Sequence, residues 1–136
     1  METGYSGTPL PRKLGIKPGA QVLLVGAPDD FERLLEPLPD DVRLRRRRGH
    51  DLDLVVAFFM RRAELDRRFD SLAATLVQAG GLWIAWPKRS SGVATDLTDN
   101  VVRGVGLAHG LVDVKVCAID ETWSGIRFVR RLRDRV

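Results

Sequence analysis

The chain has too little cysteine for a disulfide and too little histidine for a metal centre. Cys117 is the single cysteine among 136 residues, which excludes an intrachain disulfide framework. Its neighbours form an apolar strand pattern, so an inert core thiol is expected there. The two histidines, His50 and His109, lie far apart with no cysteine near either, and no metal ligands are assigned. Long apolar runs are also lacking. The longest, Leu54 to Met60, spans 7 residues, against the roughly 20 that a bilayer-crossing helix needs. The segment from Met1 to Leu14 is polar and has no apolar signal core, so a cytoplasmic protein away from the membrane is expected. There is no Walker loop, Ser-His-Asp set or Cys-His pair; no catalytic residue and no cofactor is assigned.

What remains is ordinary globular material. Apolar residues make up 44% of the chain, enough for a core without staples. The length suits one domain over 1–136, with 1–19 as an N-terminal extension holding a short helical turn. The 22 basic and 18 acidic residues leave a net charge of +4, and they are interspersed, so a basic face could come only from local clustering. Arginine outnumbers lysine 18 to 4, a usage that points to a GC-rich bacterial genome.

Hydrophobic periodicity divides the chain into alternating strands and helices. Thr8 to Gly15 reads as one helical turn, with Thr8 as cap and Gly15 as exit. Gln21 to Val25 is a strand apolar on both faces, as in a sheet covered on both sides. The turn Gly26-Ala27-Pro28-Asp29 opens a helix, with Asp29 as its cap and Glu32 as the capping-box partner. Val42 to Arg45 is an edge strand and Leu52 to Phe59 a buried one. Ala63 to Ala79 reads as the clearest helix, with Leu65, Phe69, Leu72 and Leu76 on one face, ended by Gly80-Gly81. Leu82 to Trp86 is a strand, and Thr95 or Asp96 caps a helix carrying Leu97, Val101, Val105 and Ala108. Gly104 and Gly106 each weaken that helix by about 1 kcal/mol against alanine. Val112 to Ile119 and Ile126 to Arg131 form a terminal hairpin around a turn at Glu121 to Gly125. This alternation predicts a mostly parallel sheet with right-handed crossovers, to which the C-terminal hairpin adds one antiparallel strand. The order of elements resembles a methyltransferase-type sheet with one strand–helix unit missing, and that resemblance implies a three-layer, Rossmann-like sheet of six strands in the order 2-1-3-4-6-5.

The stretches Gly4-Tyr5-Ser6-Gly7-Thr8-Pro9, Leu14-Gly15-Ile16-Lys17-Pro18-Gly19, Gly81 to Lys88 and Thr122-Trp123-Ser124-Gly125 resemble an uncharacterised bacterial family, domain-of-unknown-function family 3052. That resemblance covers nearly the whole chain and implies a domain class without an activity. More weakly, Leu14 to Gly26 and Gly80-Gly81 are similar to parts of class I methyltransferases. This second likeness implies a methyltransferase-like sheet, a glycine-rich cofactor turn after the first strand and a carboxylate after the second. The chain has one glycine, Gly26, at the first position and Arg45, Arg46, Arg47 and Arg48 at the second.

Ligands of open α/β sheets bind beyond the carboxyl ends of the strands. The candidate rim pocket therefore comprises Gly26, Ala27 and Asp29 from the first turn and Trp86, Lys88, Ser90 and Thr95 from the loop after the Leu82 strand. Lys88 supplies a cation, Ser90 and Thr95 supply hydroxyls, and Trp86 an apolar wall, a set that suits a small anionic metabolite. Arg45 to Arg48 form a basic surface patch. No aromatic flanks it, so it reads as a solvated edge or a contact for an acidic partner, and nucleic acid is disfavoured. Two functions fit: a non-catalytic small-molecule-binding or regulatory module, for which a homodimer is expected, and a small transferase using a nucleotide-type cofactor.

Overall fold

In the computed structural model, which describes residues 7–136, three parallel strands carry the fold, and their apolar alternation determines what covers them. The elements run α1 (Leu10–Leu14), β1 (Gln21–Val25), α2 (Phe31–Leu34), β2 (Arg43–Arg45), β3 (Leu52–Phe58), α3 (Arg62–Ala73), β4 (Leu76–Pro87), α4 (Asp99–Ala108), β5 (Leu111–Ala118) and β6 (Trp123–Arg130). The six strands form one sheet in the order β2-β1-β3-β4-β6-β5, as the sequence predicts. β1 pairs in parallel with β2 and β3, and β3 with β4. β6 runs antiparallel between β4 and β5. The carboxyl ends of β1, β3 and β4 thus share one edge.

Side chains alternate across each strand. Leu23, Val25, Val55, Ala57, Leu82, Ile84, Trp86, Ile126 and Phe128 face one layer, where Leu65, Phe69 and Leu72 of α3 and Val102 and Val105 of α4 complete the core. Val22, Leu24, Leu54, Val56, Phe58, Trp83 and Ala85 face the other, where Leu14 of α1 and Phe31 of α2 close it. No helix among the described residues is long and apolar enough to cross a membrane. Burial, opposed by the nearby Lys13 and Lys115, pushes the Cys117 thiol above its ordinary range.

Several predicted boundaries move. The cap of α1 is Pro9, not Thr8. Gly4 to Ser6 of the quoted resemblance lie outside the described residues. The helix after β1 is a single turn, capped by Asp30 rather than Asp29, and no side chain bonds its first turn. Glu32, the expected capping-box partner, is instead bound to Arg46 at 2.9 Å. α3 ends at Ala73, not Ala79. The Thr75 hydroxyl donates to Leu72 O at 2.6 Å, and its carbonyl accepts from Leu52 N at 3.0 Å, which turns the chain into β4. Leu76 keeps its place in the same core, but from a strand, and so imitates helical spacing. Gly80-Gly81 consequently lies inside β4, at an irregularity where Leu54 of β3 pairs with Gly81. α4 is capped by Thr98, whose hydroxyl accepts from Val101 N at 3.2 Å. β6 begins at Trp123, so Trp123 to Gly125 are strand and not turn. Asp120 makes the turn instead, its carboxylate accepting from Thr122 N and Trp123 N at 2.8 and 2.7 Å.

Candidate functional site

The largest cleft described, about 640 Å³, opens at the carboxyl end of β4. Trp86 forms its wall and is almost wholly buried. Lys88, Arg89, Thr95, Thr98 and Asp99 line it from the loop and the first turn of α4. Val116 and Ser124 line it from the terminal hairpin, because β6 pairs with β4 in a register that sets Ser124 beside Trp86.

The loop is built rather than slack. Lys88 N donates to Thr122 O at 2.7 Å, fastening the loop to the hairpin. The Ser91 hydroxyl donates to Lys88 O at 2.6 Å, and Gly92 reverses the chain in a left-handed conformation. Thr95 donates its hydroxyl proton to Met60 O at 2.6 Å and accepts from Leu97 N at 3.1 Å. Asp96 accepts from Arg62 N at 2.7 Å, so it caps α3, not its own helix. These bonds tie the ends of β3 and β4 together. They leave the Lys88 and Arg89 side chains without an ion-pair partner among the described residues.

Of the residues singled out from the sequence, Trp86, Lys88 and Thr95 meet in this cleft. Ser90 lies on the exposed outer side of the loop. Gly26, Ala27 and Asp29 share the same sheet edge, but β3 separates them from β4, and they line none of the cavities described. Thr98, Val116 and Ser124 escaped the sequence reading; the 4-6-5 strand order was the signal that could have brought in the last two.

The turn after β1 has a single glycine in place of a glycine-rich run, and none of the cavities described opens on it. Gly26 adopts a positive φ of 65°, and a Cβ there would lie 3.2 Å from Phe58 O. Phe31 and Phe58 meet edge to face at 4.9 Å, and Phe58 meets Trp123 at 5.0 Å. These rings belong to the core on the face where Ala27 packs. At the end of β2, Arg45 reaches Gln21 at 3.5 Å, and Arg46 pairs with Glu32. Arg45 and Arg48 border a shallow 320 Å³ hollow with His50, and Arg47 is exposed. Among the described residues no cluster of ligating side chains could hold a metal.

On the far face His109 bridges two carboxylates of α3, Asp66 through Nε2 and Asp70 through Nδ1, both at 2.8 Å, and stacks on Phe69 at 5.0 Å. The Asp66 hydrogen bond, helped by Asp70 and opposed by burial, raises its pKa above 6.5. A raised folded-state pKa stabilises the fold fully below the unfolded value of about 6.5, and that contribution fades as pH rises through the folded value. In a proton NMR titration His109 should titrate above 6.5, and Asp66→Asn/Asp70→Asn should bring it down. An unchanged midpoint in the double variant would remove this account.

No family model matches the chain, so the likeness to family 3052 gains no support there, and no curated protein matches it. Solved structures do. A SAM-dependent methyltransferase from Aquifex aeolicus is similar at a TM-score of 0.63 with 14% identity, over 86% of this chain and 85% of that one. Magnesium protoporphyrin IX methyltransferase from Synechocystis, with bound SAH, is similar at 0.56 with 11% identity, over 84% and 75%. A possible exported protein from Bordetella parapertussis is similar at 0.61 with 12% identity, over 89% of this chain and 64% of that one. The chain therefore has the methyltransferase-like α/β fold.

Proposed function

We propose that this chain binds a small organic anion in the cleft at the carboxyl end of β4. The observation that carries the reading is the pair of cations Lys88 and Arg89, without a carboxylate partner among the described residues, set against the buried Trp86 wall of a 640 Å³ cleft. Charge-assisted bonds from the loop would fix the anionic group, and Trp86, Leu97 and Val116 would cover the apolar part of the ligand. Asp99 lines the same cleft and donates nothing to an anion. Its Oδ1 accepts from Asn100 N at 2.8 Å, within the first turn of α4.

A second reading is group transfer with a nucleotide-type cofactor. The structural neighbours favour it over a purely non-catalytic module, since several are SAM-dependent methyltransferases. Since no cavity described opens at Gly26, the cofactor would then sit in the β4 cleft.

Calorimetry separates the two. Under the binding reading, a panel of dicarboxylates and sugar phosphates contains a ligand whose affinity falls about tenfold in Lys88→Ala, the loss of one charge-assisted bond. Equal affinity in Lys88→Ala/Arg89→Ala would reject the site. Heat with S-adenosylmethionine, with methyl transfer lost in the same variant, would replace the binding reading by the transferase.

A further inference from the structure

A second cavity, about 410 Å³, lies at the opposite edge of the sheet, where the parallel strands begin. The α1–β1 loop walls it with Gly15, Lys17 and Gly19; Asp53 of β3 and Gly80 of β4 complete it, and Arg127 of β6 reaches in. Arg127 is in register with Trp83 and projects away from the core formed by Ile126 and Phe128. Its guanidinium lies on Gly81, where a Cβ would come within 2.8 Å of Nη2 and closer still to Nε.

The fold supplies acceptors to three other cations. Arg130 donates to Ala73 O and Val77 O at 2.9 and 3.1 Å, Lys115 to Lys13 O at 2.7 Å, and Arg103 to Asp113 at 2.9 Å. Arg127 Nε is buried and has no hydrogen-bond partner among the described residues. No carboxylate among the described residues pairs with its guanidinium. Burial, and then the neighbouring Arg135, weaken its hold on its proton. A cation held this way costs stability unless an anion reaches it.

We propose that the amino-edge cavity is a binding site for a small oxyanion, held by the Arg127 fork and by Lys17. A planar guanidinium suits a carboxylate or a phosphate equally. Asp53 sharpens the ligand class. One of its oxygens accepts from Gln21 N at 2.8 Å, and the other is left to accept from the ligand. The fitting molecule thus pairs an anionic group with a hydroxyl donor, as in a hydroxy acid or a polyol phosphate. The site shares no lining residue with the β4 cleft and does not depend on the function proposed there.

The test is thermal shift and calorimetry on the full chain with inorganic phosphate, glycerol 3-phosphate and glycerate. Glycerol 3-phosphate or glycerate at about 10 mM is expected to raise Tm by about 3 °C, and which of the two does so distinguishes phosphate from carboxylate. Arg127→Gln should lose at least about tenfold in affinity. Asp53→Asn should weaken the hydroxyl-bearing ligand yet strengthen inorganic phosphate, a reversal that a merely structural Asp53 would not produce. Gly81→Ala, which displaces only the end of a flexible side chain, should keep the fold and lose affinity; it carries the test if Arg127→Gln does not fold. Lys88→Ala should leave this binding unchanged. Absence of any response in the wild type, or equal affinity in Arg127→Gln, overturns the proposal.

Discussion

Gly106→Ala is expected to destabilise the protein by about 2 kcal/mol, whereas Gly104→Ala, two residues earlier, should stabilise it by about 0.5–1 kcal/mol. Both glycines lie in α4 and carry the same penalty in helix propensity. Their surroundings differ. A Cβ on Gly106 would land within the ring of Phe128, which is fully buried on β6. The ring cannot retreat, because it is packed edge to face on Phe69 at 5.6 Å. Overpacking of that kind costs up to about 3 kcal/mol and outweighs the roughly 1 kcal/mol gained in helix propensity. A Cβ on Gly104 meets nothing within 4 Å, so only the propensity gain remains. Urea unfolding followed by tryptophan fluorescence, with m held constant, measures both changes. Stability of Gly106→Ala at or above the wild type would show that α4 does not approach β6 as described. The effect should reach function as well, since Thr98 and Asp99 of the same helix frame the β4 cleft. A displaced α4 would weaken anion binding there.

That contrast marks where sequence reading stops. Periodicity reports which residues are buried, so the parallel β1-β3-β4 core and the loop after β4 could be read from the chain, while the strand order came from the likeness of its element order to a methyltransferase-type sheet. It does not report what a buried residue touches. Gly104 and Gly106 look alike in sequence and differ by a phenyl ring in space. Leu76 satisfied the helical spacing of Leu65, Phe69 and Leu72 because its strand position points into the same core. The rim was legible in part for the same reason. Trp86, Lys88 and Thr95 are close in sequence and stay close in space. Gly26 and Asp29 belong to another βα unit, and β3 lies between their turn and β4. Arg127 left no sequence signal at all. It alternates with Ile126 and Phe128 like any outward strand residue, and only the path of the α1–β1 loop makes its position half-buried.

The largest single effect belongs to Trp83, which closes the other face of the sheet. It has no exposed surface, and its Nε1 donates to Leu14 O at 2.9 Å, so one side chain both fills the core and holds the end of α1. Trp83→Ala should cost about 3–5 kcal/mol, the usual loss for deleting a buried aromatic. Trp83→Phe separates the two roles: it keeps most of the apolar volume but strands the buried Leu14 carbonyl, at about 1–3 kcal/mol. The cost should appear locally, because the Gly15 to Ala20 loop follows directly from that carbonyl. Amide exchange in residues 10–20 should accelerate in Trp83→Phe more than in β3 or α4. Binding at the Arg127 cavity, walled by this loop, should weaken in the same variant while the β4 cleft keeps its affinity. Uniform acceleration across the chain, or no loss of stability, would show that α1 is held by apolar contact alone and that the hydrogen bond is incidental.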